Sequence, residues 1–307
     1  MPSSSSIDIG GMLYHERLTR SLSRLVQINR VIFSGTTKYQ RVEIVESPDF
    51  GKMLLIDGKV QLSTFDEYIY HESLVHPSLF SHPRPEKVLI IGGGDGGALE
   101  EVLKHNVVKE VVLVDLDKEI IEISKKYLKE VHKDAFNDER VSIFIEDGRR
   151  FVERTNDKFD VVILDLTDPS GQSARLYTVE FYKLIKSRLN SNGIVTTHSE
   201  SPYVYQREFV AIYKTLSEVF SIVRPYGAWI PSFGLYWMFI IASDHIDPRS
   251  ISKDLIKKRF EERGVYTEYY SPELHEALFV LPKDILMALK RTDVPVSTDE
   301  KPIEIPV

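Results

Sequence analysis

The chain has 307 residues, a formal net charge of −7 and no cysteine, with 42% hydrophobic and 28% charged residues. This balance is typical of a globular protein, and the lack of cysteine excludes disulfides, thiolate catalysis and cysteine metal sites. No apolar run approaches the roughly 20 residues that span a bilayer, the N-terminus does not read as a secretory signal, and no basic stripe is interleaved with aromatic residues. We expect a cytoplasmic protein with no membrane or nucleic-acid partner. Few Gln and Asn beside abundant Lys and Glu favour an origin in a hot environment.

The first 80 residues are predicted to form a small β-rich unit. Apolar or alternating segments typical of strands occur at residues 30–35, 39–47 and 51–64. The last of these is broken by the turn pair Asp57-Gly58, and a helical segment follows at residues 66–80. We therefore predict an N-terminal β-domain over residues 1–80 and a second domain over residues 81–307.

The second domain alternates between strand and helix patterns. Strand-like segments lie at residues 87–94, 110–117, 140–147, 159–166 and 193–200, and amphipathic helical segments at 98–105, 118–131, 149–155 and 179–189. This alternation predicts a parallel sheet covered on both faces. Two further strands, 222–231 and 235–243, are joined by only three residues and must be antiparallel. The fold class is therefore α/β, a Rossmann-like sheet of the methyltransferase type with a small N-terminal β-domain, followed from Asp244 by a helix and a tail.

A glycine-rich segment, "IIGGGDGGALEE", lies between the first strand of this sheet and its helix. Glycines there let a ligand approach the backbone and the helix N-terminus. Gly92, Gly94 and Gly97 satisfy G-x-G-x-x-G, so a dinucleotide enzyme has to be considered. The motif alone is weak, and a purely structural glycine turn remains an alternative.

Acidic residues follow the next two strands. Asp115 lies about twenty residues beyond the glycines, where an acid usually holds ribose hydroxyls, and Asp117 competes for that role or caps the next helix. Asp147 and Gly148 suit an adenine, with the Asp contacting the amino group and the Gly the ring, although Asp147 is equally suited to a helix N-cap.

Together, four successive strands are followed by acids. These are Asp95, Asp115, Asp147 and Asp165, with Asp168 just beyond. Ligands bind at the carboxyl ends of parallel strands, so we expect these side chains to share one crevice. Unpaired negative charge is costly at a buried strand end, so a cationic ligand is expected there.

Asp95 indicates which cationic ligand is expected in this crevice. Two unit charges about 4 Å apart at an effective dielectric constant of about 20 interact by roughly 4 kcal/mol. Asp95 would therefore repel the carboxylate of S-adenosylmethionine and attract the primary amine of the decarboxylated compound. The alternative is that Asp95 simply caps the helix that begins near Gly97.

Several motifs together resemble the polyamine aminopropyltransferases, the spermidine synthase family, in matching order from about residue 14 to 290. They are "YIYHE", "DGKVQLSTFDEY", "GGGDGG", "EDG" and "DLTDP" followed by "LYTVEFY". "DLTDP", "LYT" and "AWIPSF" look most like the thermospermine synthase branch. The resemblance implies transfer of an aminopropyl group from decarboxylated S-adenosylmethionine to an amine such as putrescine or spermidine, with release of methylthioadenosine.

The resemblance also assigns residues. It implies that the adenosine moiety is held by Gln40, Asp115, Asp147 and Gly148, and amines by Tyr70, His71, Asp95 and Asp168. Asp165 would accept the proton, with no metal, no prosthetic group and a homodimer or homotetramer as the assembly. The family often has Pro where this chain has Gln172, and Tyr near the stretch that here reads "WIPSFG", so the acceptor is left open among putrescine, spermidine, agmatine, cadaverine and longer amines.

Three other functions are weighed against this one. A methyltransferase of the same fold would bind S-adenosylmethionine, which Asp95 disfavours. A nicotinamide dehydrogenase is favoured only by the formal glycine match. A noncatalytic polyamine-binding protein would have no use for Asp165. His71, His76 and His82 lack the spacing of a zinc pair, and G-x-S-x-G is absent.

Overall fold

The computed structural model describes residues 11–306. Within that range the strands are β1 (Met12–Arg17), β2 (Ser23–Ile28), β3 (Arg30–Thr36), β4 (Arg41–Ser47), β5 (Gly51–Ile56), β6 (Lys59–Ser63), β7 (Lys87–Gly92), β8 (Glu110–Asp115), β9 (Val141–Ile145), β10 (Phe159–Asp165), β11 (Leu189–His198), β12 (Ile222–Ile230) and β13 (Leu235–Ser243). The α-helices are α1 (Glu67–Ser81), α2 (Gly97–Leu103), α3 (Lys118–Tyr127), α4 (Lys129–His132), α5 (Gly148–Arg154), α6 (Val179–Ser187), α7 (Gln206–Ser217), α8 (Lys253–Arg263), α9 (Pro272–Leu278) and α10 (Lys283–Ala288). The N-terminal segment in which we predict no secretory signal lies almost entirely outside the described residues.

The N-terminal part is entirely antiparallel. β3 to β6 form a four-stranded sheet in chain order, and β1 and β2 form a separate hairpin. The predicted turn pair joins β5 to β6, with positive φ at both Asp57 (49°) and Gly58 (72°). Two successive residues with positive φ are typical of the turn that best matches strand twist. Val42, Ile44 and Leu54 are buried and provide this unit's share of the core.

The large sheet has seven strands in the order β12-β13-β11-β10-β7-β8-β9. β7 pairs in parallel with β8 and β10, whereas β13 runs antiparallel to both β11 and β12. The central strand β7 is covered on both faces: Val88 and Ile90 belong to one core cluster, and Leu89 and Ile91 to the other. This is the predicted Rossmann-like sheet of the methyltransferase type.

Helix α1 is buried along almost its whole length, from Tyr70 to Ser81. Such a helix belongs in the interior of a larger unit. Its backbone is tied to the large sheet because the Tyr226 hydroxyl of β12 donates to the Ser73 carbonyl over 2.8 Å. Its Glu72 carboxylate also accepts from the backbone N–H groups of residues 268–270, which lie between α8 and α9. The division at residue 80 stays a prediction, and these contacts favour a boundary ahead of α1.

Three elements differ from the sequence prediction. The β1–β2 hairpin and helix α7 were not predicted, and the segment after Asp244 contains the helices α8, α9 and α10 instead of one helix and a tail. The hairpin was missed because several of its apolar residues, such as Met12 and Leu25, are exposed at 52% and 62%, and only Val26 and Ile28 are buried. Helices α9 and α10 are too short to show a helical period.

None of the helices within residues 11–306 is both long and apolar enough to cross a membrane.

Candidate active site

A cavity of about 320 Å³ lies between the carboxyl ends of the large sheet's strands and the N-terminal sheet. Eight of the nine predicted site residues line it: Gln40, Tyr70, His71, Asp95, Asp115, Asp147, Gly148 and Asp165. The ninth, Asp168, lines an adjoining cavity of about 50 Å³, and Gln61, Tyr70 and Leu166 line both. The predicted crevice is thus a single region with two connected chambers, and the roles of its residues stay predictions.

The glycine-rich turn brings the ends of β7 and β10 into contact. Gly92 has φ of 81°, and a Cβ there would lie 2.0 Å from the Asp165 carbonyl oxygen. The Gly93 N–H donates to the same oxygen over 2.9 Å. A Cβ at Gly94 would lie 2.8 Å from Asp115 Oδ2. The glycines therefore allow two of the strand-end acids to sit directly against the turn.

Asp95 and His71 form an ion pair beside this turn. Asp95 Oδ1 accepts from the Gly97 N–H over 2.8 Å and lies 3.3 Å from His71 Nε2, while His71 Nδ1 lies 2.6 Å from Glu67 Oε2. Burial opposes the charge of His71, but Asp95 and Glu67 outweigh it and raise the pKa of His71 well above its usual value. Burial likewise opposes the charge of Asp95, but the bond to His71 lowers the pKa of Asp95. The N-cap residue of α2 is Gly96, but Asp95 accepts the N–H of the first residue of the helix and also lines the cavity as an ionised group.

Asp165 ends β10 in a different environment. Its Oδ1 accepts a hydrogen bond from the Tyr70 hydroxyl over 3.1 Å, and its Oδ2 is buried without a partner among residues 11–306. Burial, followed by the negative charge of Asp95, raises the pKa of Asp165 to about 7, although His71 partly opposes this. A carboxyl group whose pKa lies near neutral pH, and which has one oxygen without a hydrogen-bond partner, has the properties of a general base.

Asp115 and Asp117 can be compared directly. Asp117 caps α3 through the Glu119 N–H at 3.0 Å, and its other oxygen accepts from Thr37 Oγ1 at 2.6 Å and Gln40 Nε2 at 3.1 Å. Asp115 accepts the Asp117 N–H at 2.8 Å, and burial raises its pKa to about 6. Because Asp117 already has three donors, the geometry favours Asp115 as the ribose ligand, with Asp117 orienting Gln40.

Asp147 and Gly148 begin helix α5. Asp147 Oδ1 accepts from the Arg150 N–H over 2.9 Å, so the N-cap that the sequence analysis offered as an alternative is present. Both residues also line the large cavity. A Cβ at Gly148 would lie 2.3 Å from Ile91 Cγ2, so this glycine lets α5 pack against β7.

Asp168, predicted to hold an amine, is already paired with a cation of the chain. Lys59 Nζ, from β6, lies 3.2 Å from Asp168 Oδ2. Sequence analysis missed Lys59 as a site residue, along with Glu67, although both lie in motifs that carry the family resemblance. Lys59 left no local signal because it is separated from Asp168 by 109 positions, whereas Glu67 was overlooked although its partner His71 follows it by four positions on the same helix.

His71, Asp95 and Asp165 each offer a ligand atom, and these atoms lie within 4.8 Å of one another. Metal binding needs a neutral imidazole with a free lone pair. Both ring nitrogens of His71 face carboxylates and its pKa is raised, so the histidine is protonated and the cluster is an ion-pair network.

A sheet of this topology, with a glycine-rich turn and carboxylates at its strand ends, defines a nucleoside-binding enzyme of the Rossmann-like class. Residues 67–262 match the family model of the spermine/spermidine synthase domain, and residues 12–64 match that of the spermidine synthase tetramerisation domain. The chain belongs to the spermine/spermidine synthase family.

Individual relatives agree with this. The polyamine aminopropyltransferase of Korarchaeum cryptofilum is 46% identical over 306 residues, covering 99% of this chain and 94% of that protein. Polyamine aminopropyltransferase 2 of Hyperthermus butylicus is 44% identical, covering 92% of this chain and 93% of that protein. Relatives from thermophilic archaea agree with the origin that the composition favours.

Solved structures show the same fold. Spermidine synthase from Thermotoga maritima superposes with a TM-score of 0.85 at 38% identity, covering 91% of this chain and 94% of that one. A spermidine synthase in complex with the transition state analogue AdoDATO gives a TM-score of 0.83 at 36% identity with the same coverage. The predicted fold class and family are confirmed.

Proposed function

We propose that this chain is an aminopropyltransferase of polyamine biosynthesis. It transfers the aminopropyl group of decarboxylated S-adenosylmethionine to an amine acceptor and releases methylthioadenosine. The observation that carries this proposal is Asp165 beside the glycine-rich turn, whose Oδ2 is buried without a hydrogen-bond partner among residues 11–306 and whose pKa is raised by desolvation to about 7. Membership of the family supports the same reaction.

The donor fits the large cavity. Asp115 would hold the ribose hydroxyls, with Gln40 beside it, and the Asp147–Gly148 pair would contact the adenine at the start of α5. The ionised Asp95 would hold the primary amine of the aminopropyl group. In this position the propyl carbon next to the sulfonium lies near Asp165 and Tyr70, and positioning of this kind supplies much of the rate enhancement.

The acceptor has to lose a proton before it can attack. An alkyl ammonium with a pKa of about 10.4 does so at neutral pH at a cost of about 4.6 kcal/mol. The proton goes to Asp165 Oδ2, the oxygen without a partner, while Tyr70 holds Oδ1. The nitrogen lone pair then forms the new C–N bond as the C–S bond breaks, and the sulfonium becomes a neutral thioether. The nearby sulfonium favours the proton transfer because it disfavours a second cation.

Other functions of the same fold are less well supported. A methyltransferase would have to place the carboxylate of S-adenosylmethionine against Asp95, which is held in its ionised form. A dehydrogenase rests on the glycine pattern alone. A noncatalytic binding protein gives no reason for a buried carboxyl group with an unused oxygen.

The decisive experiment incubates the protein with decarboxylated S-adenosylmethionine and, in turn, putrescine, cadaverine, agmatine and spermidine, and identifies the products by mass spectrometry. Methylthioadenosine together with one aminopropylated amine is the expected result and names the acceptor. Consumption of S-adenosylmethionine with methylated products would support the methyltransferase instead.

The pH dependence of the rate provides a prediction. With both substrates far below saturation, kcat/KM reports the free enzyme, and only the ionised form of Asp165 can accept a proton. Because the pKa of Asp165 is raised to about 7, kcat/KM should fall about tenfold per pH unit just below 7, more steeply below 6 where Asp115 is protonated as well, and lose this dependence above 7. Initial rates between pH 5 and 8 test this, and a rate already independent of pH at 5 would contradict the assigned pKa.

The assembly is also proposed. Residues 12–64 match the tetramerisation domain, and the β1–β2 hairpin exposes apolar side chains, including Leu13 at 45% and Leu25 at 62%. We infer a homotetramer formed through this hairpin, with the homodimer as the alternative. Light scattering should give four times the 35.3 kDa of one chain, and a monomeric mass would contradict the assignment. The cytoplasmic location and the absence of nucleic-acid partners stay predictions.

A further inference from the structure

The smaller chamber next to Asp165 has walls suited to an alkyl amine. Its aromatic lining consists of Tyr70, Tyr205, Phe233 and Trp237. Tyr70 and Leu166 also line the large cavity, so an acceptor whose nitrogen lies at Asp165 would extend its chain into this chamber. The position of the chamber therefore makes it the place for the distal part of the acceptor.

The charges that line this chamber are already balanced. Its two acids are Glu16 and Asp168 and its two cations are Arg24 and Lys59; His198 also lines it, and burial lowers the pKa of this histidine. Arg24 pairs with Glu16, which also accepts the Val60 N–H over 3.0 Å. Lys59 pairs with Asp168, and its Nζ lies 6.0 Å from the centre of the Tyr205 ring. A cationic end of an acceptor therefore meets no unpaired carboxylate here.

Glu200 lies behind Asp168 and does not change this balance. Its side chain is completely buried, and neither carboxyl oxygen has a hydrogen-bond partner among residues 11–306. Its φ of 71° is a strained conformation for this residue type, of the kind that clusters at functional sites. Burial, followed by the charge of Asp168, raises the pKa of Glu200 well above its usual value, which favours its neutral form. Lys59 is thus the one group that neutralises the negative charge of Asp168 in this chamber.

We propose that Lys59 is a specificity-determining residue that occupies, beside Asp168, the position that the distal ammonium of a longer polyamine would take. This inference rests on the proposed aminopropyl transfer. A short acceptor, whose distal ammonium group does not reach Asp168, is little affected by Lys59. A longer acceptor has to share Asp168 with the lysine or displace it, and two cations at one carboxylate repel each other. Lys59 therefore disfavours longer acceptors relative to shorter ones.

The test is Lys59→Met, which keeps a long side chain and removes the charge. The kcat/KM values for putrescine and spermidine are measured in the wild type and the variant, with decarboxylated S-adenosylmethionine saturating. The spermidine-to-putrescine ratio should rise at least about tenfold, equivalent to about 1.4 kcal/mol. The rise should come from a lower KM for spermidine, because the reacting groups at Asp165 are unchanged.

Two further variants serve as controls. Lys59→Arg keeps a cation beside Asp168 and should keep the wild-type ratio. Lys52→Met removes a lysine of the same sheet whose partner, Glu130 at 2.6 Å, lies outside both chambers, and it should also leave the ratio unchanged. Melting temperatures of all variants exclude a general loss of folding, and Lys59→Gln repeats the test if the Met variant does not fold.

The outcomes are distinct. An unchanged ratio in Lys59→Met, or an equal loss of activity on both amines, overturns the role of Lys59 while leaving the proposed reaction in place. Failure of the wild type to release methylthioadenosine with any amine of the series overturns the proposed function and this inference together.

Discussion

Replacing Asp165 by Asn is expected to lower kcat by about 10²- to 10⁴-fold, the range that a general base contributes. Asparagine keeps the shape of the side chain and can still accept the hydrogen bond from Tyr70. It cannot take the proton of the acceptor amine. Donor affinity should remain nearly unchanged, because the residues assigned to the adenosine moiety are untouched. Single-turnover rates and calorimetric donor titration separate the two effects.

The matched control is Asp254→Asn, which removes an exposed carboxylate on α8 and should leave both quantities unaltered. Turnover near that of the wild type in Asp165→Asn would remove Asp165 from the mechanism.

The Asp165→Asn variant also tests the raised pKa of Asp165 through protein stability, which can be measured without substrate. Asp165 has a higher pKa in the folded than in the unfolded chain, so its contribution to stability is present at low pH and is lost as the pH rises through about 7. Asp165→Asn should therefore raise the melting temperature more at pH 8 than at pH 5. An equal change at both values would contradict a raised pKa.

Replacing Asp95 by Asn is expected to remove most of the discrimination between decarboxylated S-adenosylmethionine and S-adenosylmethionine. The carboxylate attracts the amine of the first and repels the carboxylate of the second, with each contribution reaching roughly 4 kcal/mol at about 4 Å and an effective dielectric constant of about 20. His71 carries a positive charge beside Asp95 and weakens both effects. We therefore expect the ratio of the two dissociation constants to fall by about a hundredfold, which corresponds to about 2.8 kcal/mol.

Glu67→Gln is the control for this change. It removes the other carboxylate that faces His71, at 2.6 Å, but Glu67 does not line either chamber. The histidine is thus perturbed in both variants, and only Asp95→Asn should alter the ratio. If Glu67→Gln changes the ratio as much, the selectivity comes from His71, and the direct role of Asp95 is wrong.

Much of the fold could be predicted because it depends on local patterns. The continuous apolar run of β7 and the three-residue link between β12 and β13 each constrain the topology by themselves. The β1–β2 hairpin could not be found in this way, since only Val26 and Ile28 of its apolar side chains are buried while Met12, Leu13 and Leu25 are exposed, which obscures the alternating pattern.

The site residues can be divided in the same way, into those that a local sequence pattern predicts and those that it does not. Asp95, Asp115, Asp147 and Asp165 were found because the ends of parallel strands meet at one edge of a sheet. Lys59 and Glu200 were missed because their significance depends on Asp168, which is distant in the sequence, whereas Glu67 was overlooked although His71 follows it by four positions on the same helix. The role of Asp168 as an amine ligand stays a prediction, and no sequence pattern indicates that a lysine from a different sheet already pairs with it.

The acids assigned to the donor and most of the charged groups of the smaller chamber come from different parts of the chain. The donor acids all follow strands of the large sheet, whereas Glu16, Arg24 and Lys59 come from strands within residues 12–64. The acceptor range can therefore change through substitutions at these three positions while the strand-end acids stay in place. In evolutionary terms, the choice of amine can drift at Glu16, Arg24 and Lys59 alone, whereas Gln40, which lies in the same segment, is assigned to the donor site and has to be kept.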